Sequence, residues 1–533
     1  MRQLPWVRRL VVDYAFDFPS LASFFADDPV EAGAWRRAID RVQQHPRRRE
    51  AIVDVLKRQL TSRGTPAAAM AAVDSLRDPR TVAVVTGQQA GLFGGPVYTA
   101  LKALTAVQLA RKVSAEHGVT AVAVFWVDSE DHDWVEVAST RLLDGEAQLR
   151  EVTAAAPEGA GKLPVAQLRL DARIADALEA VRAVLPRTEF TDDLLARLAD
   201  AYAPGRSMSE AFARCLDTCL GPLGLIVYDC ADPAAKPLAA PVLAHEIAVP
   251  ARTSALAVAA GEALAARGYH VQVDAHPDTV ALFHLGPERQ AIRIAGDRFS
   301  VAARTASAAE LGAEIASHPE RFSPNVLLRP LVQDTLFPTI AYVAGPSELA
   351  YLGQLREVYA HFGIPMPLVV PRVTATLLDT AATRFLQRYA LPIEAMQPQD
   401  ESVLNRLLAA QLPPEVDAAF KDTHDCVGRK MQALIAALPA LDPTLEGAAR
   451  STFGRIEHDL QGLHGKIIHA AKRRNETLRR QFVRTRSLTF PQGHLQERTL
   501  GFVYFMNRYG PTLIDLLDRS LAPNPGYHCL LTV

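Results

Sequence analysis

The sequence predicts an α/β protein: a parallel-sheet core entered through βαβ units, followed by a long antiparallel helical hairpin. Three observations carry this. The apolar run Val82–Val85 meets the stretch Thr86-Gly-Gln-Gln-Ala-Gly-Leu-Phe-Gly-Gly-Pro96, and an apolar helix follows over 96–110. A second apolar run, Ala121–Val127, ends in Asp128-Ser-Glu-Asp-His-Asp133. Far along the chain, Phe453, Ile456, Leu460, Leu463, Ile467 and Ala470 recur at alternating spacings of three and four, which is the seam of a coiled coil.

The chain has 533 residues, too many for a single core and in the range of two or three domains. Hydrophobic residues make up 49% and charged residues 22%, the composition of a globular protein. A net charge of −2 gives no drive toward nucleic acid or a membrane surface. No apolar window is long enough to span a bilayer, and Met1–Trp6 lacks a signal core. A cytoplasmic location is therefore expected. The five cysteines are scattered and odd in number, which argues against a disulfide framework. Cys215 and Cys219, four apart, read as buried thiols on one helix face.

Residues 1–80 read as a helical segment packed on the core, with Ala34–Arg63 amphipathic and rich in Arg and a break at Arg77-Asp-Pro-Arg80. The core spans 81–385. Its first helix turns Leu101, Leu104, Val107 and Leu109 toward the sheet, which suits a right-handed crossover. Insertions are placed at about 141–205 and 265–320. Within and around them come helices over 175–185 and 209–220 and a strand over 224–229. An antiparallel pair covers 280–285 and 291–301, with its turn at Gly296-Asp297. Strand and turn over 337–346, a helix over 347–362 and a short strand over 367–372 complete the core. An arm over 386–490 opens with Val416, Phe420, Thr423, Val427, Met431, Leu434 and Leu438 at helical spacing. Asp442 is placed as the cap of the second arm helix and Pro443 at its first position. The basic run Lys472–Arg480 reads as a solvated face or a docking surface. A C-terminal segment, 491–533, returns to the core with a last strand at Tyr527–Val533.

The glycine-rich stretch fits neither the P-loop nor the dinucleotide fingerprint. Its glycines, Gly87, Gly91, Gly94 and Gly95, still exceed what a plain turn needs. With Thr86, Gln88 and Gln89 it reads as a ligand-contacting loop whose N–H groups face negative charge. Lys102 lies two turns into the helix, facing solvent or the site. The acidic run holds Asp128, Glu130, Asp131, His132, Asp133 and Glu136. Crowded carboxylates raise one another's pKa, so Glu130, Asp131, His132 or Asp133 is the expected proton acceptor for an amine. His132 with Asp128 or Asp133 could instead hold a divalent ion such as Mg2+, although no zinc motif is present. Arg329 and Gln333 lie one helical turn apart, and Arg329 suits a two-pronged grip on a carboxylate. Glu348 stands at a helix start, and Arg372 follows the last core strand. Phe502, Phe505, Met506 and Tyr509 form an apolar stripe, beside which Tyr504, Asn507 and Arg508 could line an adenine pocket.

Together these stretches resemble the bacillithiol-biosynthesis cysteine-adding enzymes, the BshC family. The family pattern T-G-Q-Q-A-G-L-x-x-G-P-x-Y-T is matched at Thr86–Thr99, V-F-W at Val124–Trp126 and E-D-H-D at Glu130–Asp133. R-P-L-x-Q-x-x-L-F-P is matched at Arg329–Pro338, and G-P-x-E-x-A-Y at Gly345–Tyr351, with Ala344 where the family has a further Gly. L-Q-E-R falls at Leu495–Arg498 and N-x-Y-G-P at Asn507–Pro511. The resemblance covers about residues 80–533. It implies a Rossmann-like core with inserted connecting segments, similar to class I nucleotidyltransferases, and a coiled-coil arm used for homodimerisation. It adds Trp126 and Tyr351 to the substrate site, and Gln496, Arg498 and Tyr509 to a nucleotide site. The implied reaction is the last step of bacillithiol formation, joining the carboxyl of L-cysteine to the amine of glucosaminyl-malate. Such amide formation is uphill in water, so ATP is the expected activator, giving ADP or AMP, with Mg2+ as a companion ion and no dedicated protein metal site. Neither H-x-G-H nor K-M-S-K-S of the wider superfamily occurs. A metal-dependent hydrolase built on Asp128–Glu136, or a non-catalytic nucleotide-binding scaffold, are the competing readings.

Overall fold

The computed structural model describes every residue except Met1, Gln3, Pro277, Pro287, Ala302, Ala303 and Pro525, and the backbone alone of Lys472–Arg474. The chain forms two compact units. One joins Met1–Leu377 to Gln496–Leu531, and the other is Leu378–Leu495.

The first unit is built on five parallel strands: β1 (Val82–Gln89), β2 (Ala121–Asp128), β3 (Ile226–Asp229), β4 (Thr339–Ala344) and β5 (Leu368–Pro371). Their spatial order is 3-2-1-4-5, that of a Rossmann-like sheet, with the reversal between β1 and β4. The strands are buried almost throughout, as a parallel sheet covered on both faces requires. The helix Val97–His117 crosses from β1 to β2 and ends at Gly118, whose φ of 63° is a left-handed stop.

β1 runs to Gln89, so the start of the expected glycine-rich turn is strand. Gly87 lies opposite Trp126 in the ladder, and an added Cβ would meet the Trp126 carbonyl at 2.8 Å. This glycine serves close strand approach. The turn proper is Gly91–Gly95, where Phe93 holds a left-handed φ of 52°. Its amides are taken by the protein: Gly91 N–H by Gln89 O, Gly94 N–H by the Tyr202 hydroxyl and Gly95 N–H by Leu92 O. Val97 N–H, at the helix start, goes to Leu500 O. The expectation that these groups face a ligand is corrected accordingly.

Two expected helices are split. Ala34–Gln44 and Arg49–Arg63 are separate because Pro46 cannot continue the first. Pro346–Leu352 and Arg356–Phe362 part at Gly353. The region read as an excursion holds a five-stranded antiparallel sheet made by 279–285, 289–295, 298–301, 304–306 and 322–324. Gly296 takes a φ of 66° at its hairpin turn. The last strand, His528–Thr532, pairs with Thr374–Leu378 outside the central sheet. All five cysteines are free thiols, and burial pushes those of Cys215 and Cys219 up, the latter to about 11. Among the described residues no single helix is long and apolar enough to cross a membrane.

The second unit carries the helical hairpin Pro414–Ala437 and Leu445–Arg474. Phe420 stacks on His464 at 4.8 Å, and Ile435, Ile468 and Ala471 are buried. Leu434 and Leu463, placed in the seam by the heptad count, are each 50% exposed. A straight helix repeats every 3.6 residues, so the buried stripe slips by one position along the pair. The second helix begins at Leu445, two residues beyond the expected Pro443, and Asp442 accepts from Thr444 N–H in a turn. Of the basic run 472–480, the side chains of Lys472, Arg473 and Arg474 lie outside the described residues.

Candidate active site

Ligands of open α/β sheets sit beyond the carboxyl ends of the strands at the reversal point. Here a cleft of about 740 Å³ opens at that place. Gly87, Gln88 and Gln89 of β1, Asp128 of β2, Glu348 after β4 and Arg372 after β5 line it. The two strand ends are joined side chain to side chain: Gln89 Nε2 donates to Asp131 at 2.8 Å and to Glu136 at 2.8 Å.

The floor is an ion pair. Lys102 is 2% exposed, and its Nζ lies 2.5 Å from Glu348 Oε2, 2.5 Å from Gly87 O and 3.1 Å from Gln88 Oε1. Glu348 also accepts from Tyr342 OH at 2.6 Å and from Gly345 N–H at 2.7 Å. Burial raises its pKa, but Lys102 and these donors outweigh that and hold it below the usual value. Lys102 is thereby fixed toward the site. Gln88 Nε2 then bonds Tyr98 OH at 3.1 Å.

Arg329 forms one wall. It donates to Gln333 Oε1 at 3.2 Å and to Tyr351 OH at 3.1 Å, both neutral acceptors, and its guanidinium lies 5.8 Å from the Trp126 ring. Gln333 itself is fully buried and passes its amide on to Asp334 at 2.9 Å. Asp334 also accepts from Tyr359 OH at 2.5 Å, and burial pushes its carboxyl up to about 6. Trp126 is fixed by edge contacts to Tyr228 at 5.1 Å and Phe337 at 6.5 Å. Arg372 is held by Glu497 at 2.7 Å, and Glu497 accepts from Ala375 N–H at 2.9 Å. Arg498, next in sequence, is exposed above the Tyr98 ring at 5.9 Å. A second cavity of about 720 Å³ adjoins the first, shares Gln88, Gln89, Tyr98, Glu136 and Arg498 with it, and includes Gly91, Trp134, Arg141 and Glu151 in its wall.

The acidic run does not act as one cluster. Glu130 is buried in an ion pair with Lys236 and is not among the cleft-lining residues. Asp131 lines the cleft but is tied to Gln89, to His132 N–H at 2.8 Å and to Arg289 at 3.7 Å. Burial pushes its pKa up, and these partners bring it below the usual value, which weakens it as a base. Asp133 caps the helix Trp134–Val137. His132 stands beside Asp131 with its side chain 44% exposed. Among the described residues no group of three His, Cys, Asp or Glu side chains converges to hold a metal ion. These are corrections to the expected base set. Of the five carboxylates of the run, Asp128, Asp131 and Glu136 line the cleft, and Asp128 was visible only as one acid among five.

Other expected residues are structural. Thr86 is fully buried and donates to Val343 O at 2.9 Å. Gly94 lines an apolar cavity behind the turn, and Gly95 takes a φ of 71° with its carbonyl accepting from Phe502 N–H. Gln496 spends both amide ends on the Leu377 backbone at 2.7 and 2.8 Å. Asn507 accepts from Thr191 and donates to Pro186 O. Neither amide keeps an edge for adenine, which corrects the expected pocket. Tyr504 is 3% exposed and accepts from Arg508, whose guanidinium also lies 5.6 Å from the Tyr509 ring. Lys102, left open between solvent and the site, faces the site, and Tyr98, Tyr342, Arg289 and Glu497 were missed as site residues. The signal for Lys102 was its place as the sole charge in an otherwise uncharged helical stretch, 97–110.

Fold and site together define a Rossmann-like protein with a charged small-molecule cleft at its sheet reversal. The description "Bacillithiol biosynthesis BshC, N-terminal Rossmann-like domain" matches residues 2–373, and "Bacillithiol biosynthesis BshC, C-terminal coiled-coil domain" matches 375–533. The chain belongs to the BshC family of bacillithiol biosynthesis. It is 35% identical over 531 residues to the "Putative cysteine ligase BshC" of Salinibacter ruber, covering 98% of this chain and 96% of that one. A protein of the same name from Chlorobaculum tepidum is 33% identical, with 96% and 94% covered. One from Koribacter versatilis is 32% identical, with 99% and 98% covered.

Proposed function

We propose that this protein joins the carboxyl of L-cysteine to the amine of glucosaminyl-malate, as the last step of bacillithiol formation, with nucleotide-driven activation of the carboxyl. The observation that carries this is Arg329. A guanidinium has five N–H donors, and two of these go to the neutral acceptors Gln333 and Tyr351. A buried cation with neutral partners on a cleft wall favours a carboxylate ligand. The adjoining cavities, sharing Gln88, Gln89, Tyr98 and Arg498, suit two reactants meeting at the end of β1. With Tyr504 and Asn507 buried and Arg508 bonded to the Tyr504 hydroxyl, we assign nucleotide with its Mg2+ to this double cleft, where the exposed Arg498 is available to phosphate.

The arm supports a second copy of the chain as partner. Val416, Leu434, Leu441 and Leu463 are 39 to 81% exposed on the helical hairpin and its connection, and apolar surface of this kind marks association.

The test is incubation of purified protein with cysteine, glucosaminyl-malate and ATP–Mg2+, read by mass spectrometry. Bacillithiol, with stoichiometric nucleotide cleavage, is the expected result. Folded protein that yields neither contradicts the proposal. ADP with phosphate assigns an acyl phosphate, and AMP with pyrophosphate an adenylate.

A further inference from the structure

We infer that Asp128 is the catalytic proton acceptor that releases the attacking amine, an assignment that rests on the ligation reading above. Asp128 is the last residue of β2, opposite Gln89 in the ladder and in the cleft wall. Every other carboxylate of the run is committed. Glu130 holds Lys236, Asp131 and Glu136 accept from Gln89, and Asp133 caps a helix. The Asp128 side chain makes no hydrogen bond or ion pair among the described residues, and Arg329 is the charge that acts on it most strongly. An unpaired carboxylate on the wall of a polar cleft is the complement of an ammonium group.

The charges around it suit both binding and proton transfer. Burial pushes the Asp128 carboxyl up, Arg329 opposes this, Asp131 adds to it, and Arg289 and Glu348 act more weakly in opposite senses. The result lies above the ordinary carboxylate value, nearer to what proton transfer from an amine needs. Arg329, also in the cleft wall, is assigned the carboxyl partner in that reading, so one cation and one anion address the two reactants.

The amine enters as R–NH3+, and one proton passes to the Asp128 carboxylate. The freed lone pair forms the C–N bond to the activated acyl carbon. The C–O bond to the phosphate-bearing leaving group breaks, and that oxygen keeps the electron pair. The second nitrogen proton leaves to water.

The test compares two acceptors in wild type and Asp128→Asn. Glucosaminyl-malate is an ammonium that needs a base, whereas hydroxylamine is largely uncharged at neutral pH and needs none. Cysteine hydroxamate reports activation of the carboxyl alone. The expected result is amide formation lowered about 10²–10⁴-fold in the variant, with hydroxamate formation within about threefold of wild type. Both reactions kept, or both lost with the fold intact, overturns the inference. Wild type that makes neither product defeats the ligation reading itself. Should Asp128→Asn not fold, Asp128→Glu serves: a displaced acid limb of the amide pH profile supports the assignment, and an unmoved limb overturns it.

Discussion

The cleft of the first unit and the arm of the second invert each other. In the cleft, charges are buried: Lys102 is 2% exposed and Arg372 5%, the latter paired with Glu497 behind it at 2%. In the arm, apolar groups are exposed, Leu441 to 81%. Burying a charge costs several kcal/mol unless it is paired, so the cleft is held by matched partners, and we assign Arg329 and Asp128, which lack such ion-pair partners, to ligands. Exposing leucine costs little within a chain, but it leaves a surface that favours association. In the reading proposed above, the first departure serves chemistry and the second assembly.

The comparison is broken most severely at Lys236. Lys236→Met leaves Glu130 buried without its partner and is expected to destabilise the first unit by about 3–5 kcal/mol in urea unfolding. Lys236→Met with Glu130→Leu should recover most of that. A single variant as stable as wild type contradicts the pairing.

Asp334 sharpens the core side through pH. Its carboxyl is raised from 3.8 to about 6 by burial, so the folded state binds the proton more tightly than the unfolded state. Its contribution is fully present below about pH 3.8 and is lost as pH rises through about 6, by about 3 kcal/mol in total. Wild-type stability should therefore fall relative to Asp334→Asn between pH 4 and 7. A constant difference contradicts the shift.

Arg329→Gln removes the cation but leaves a polar side chain. A charged hydrogen bond is worth about 1.5–3 kcal/mol, so the KM for the carboxylate substrate is expected to rise about 10- to 100-fold. Steady-state kinetics checks this, and an unchanged KM contradicts the role. The smallest effect on stability belongs to the arm. Leu434→Lys with Leu463→Lys should change unfolding free energy by no more than about 0.5 kcal/mol each while dissociating the oligomer in analytical ultracentrifugation. An unchanged mass contradicts the docking role of that face.

Much of this was legible in the chain. Uninterrupted apolar runs joined by an apolar helix placed β1 and β2 in one parallel sheet, because strands covered by helices on both faces read as continuous apolar runs. Which acid faces the ligand was not legible. β2 ends at Asp128, and beyond it no strand alternation sets side-chain direction, so Glu130 could turn inward to Lys236, 106 residues away in sequence. The internal amides of Gln496 and Asn507 were unreadable for the same reason, since their partners lie in distant segments. The arm seam was readable as a pattern but not in phase, because the heptad count accumulates a one-residue drift.

The most direct measurement is a crystal structure of the protein soaked with cysteine and glucosaminyl-malate. The account expects density in the cleft beyond β1, with a carboxylate on the Arg329 guanidinium and the amine within about 3.2 Å of Asp128. Both substrates bound elsewhere, with that cleft empty at saturating concentration, would contradict it.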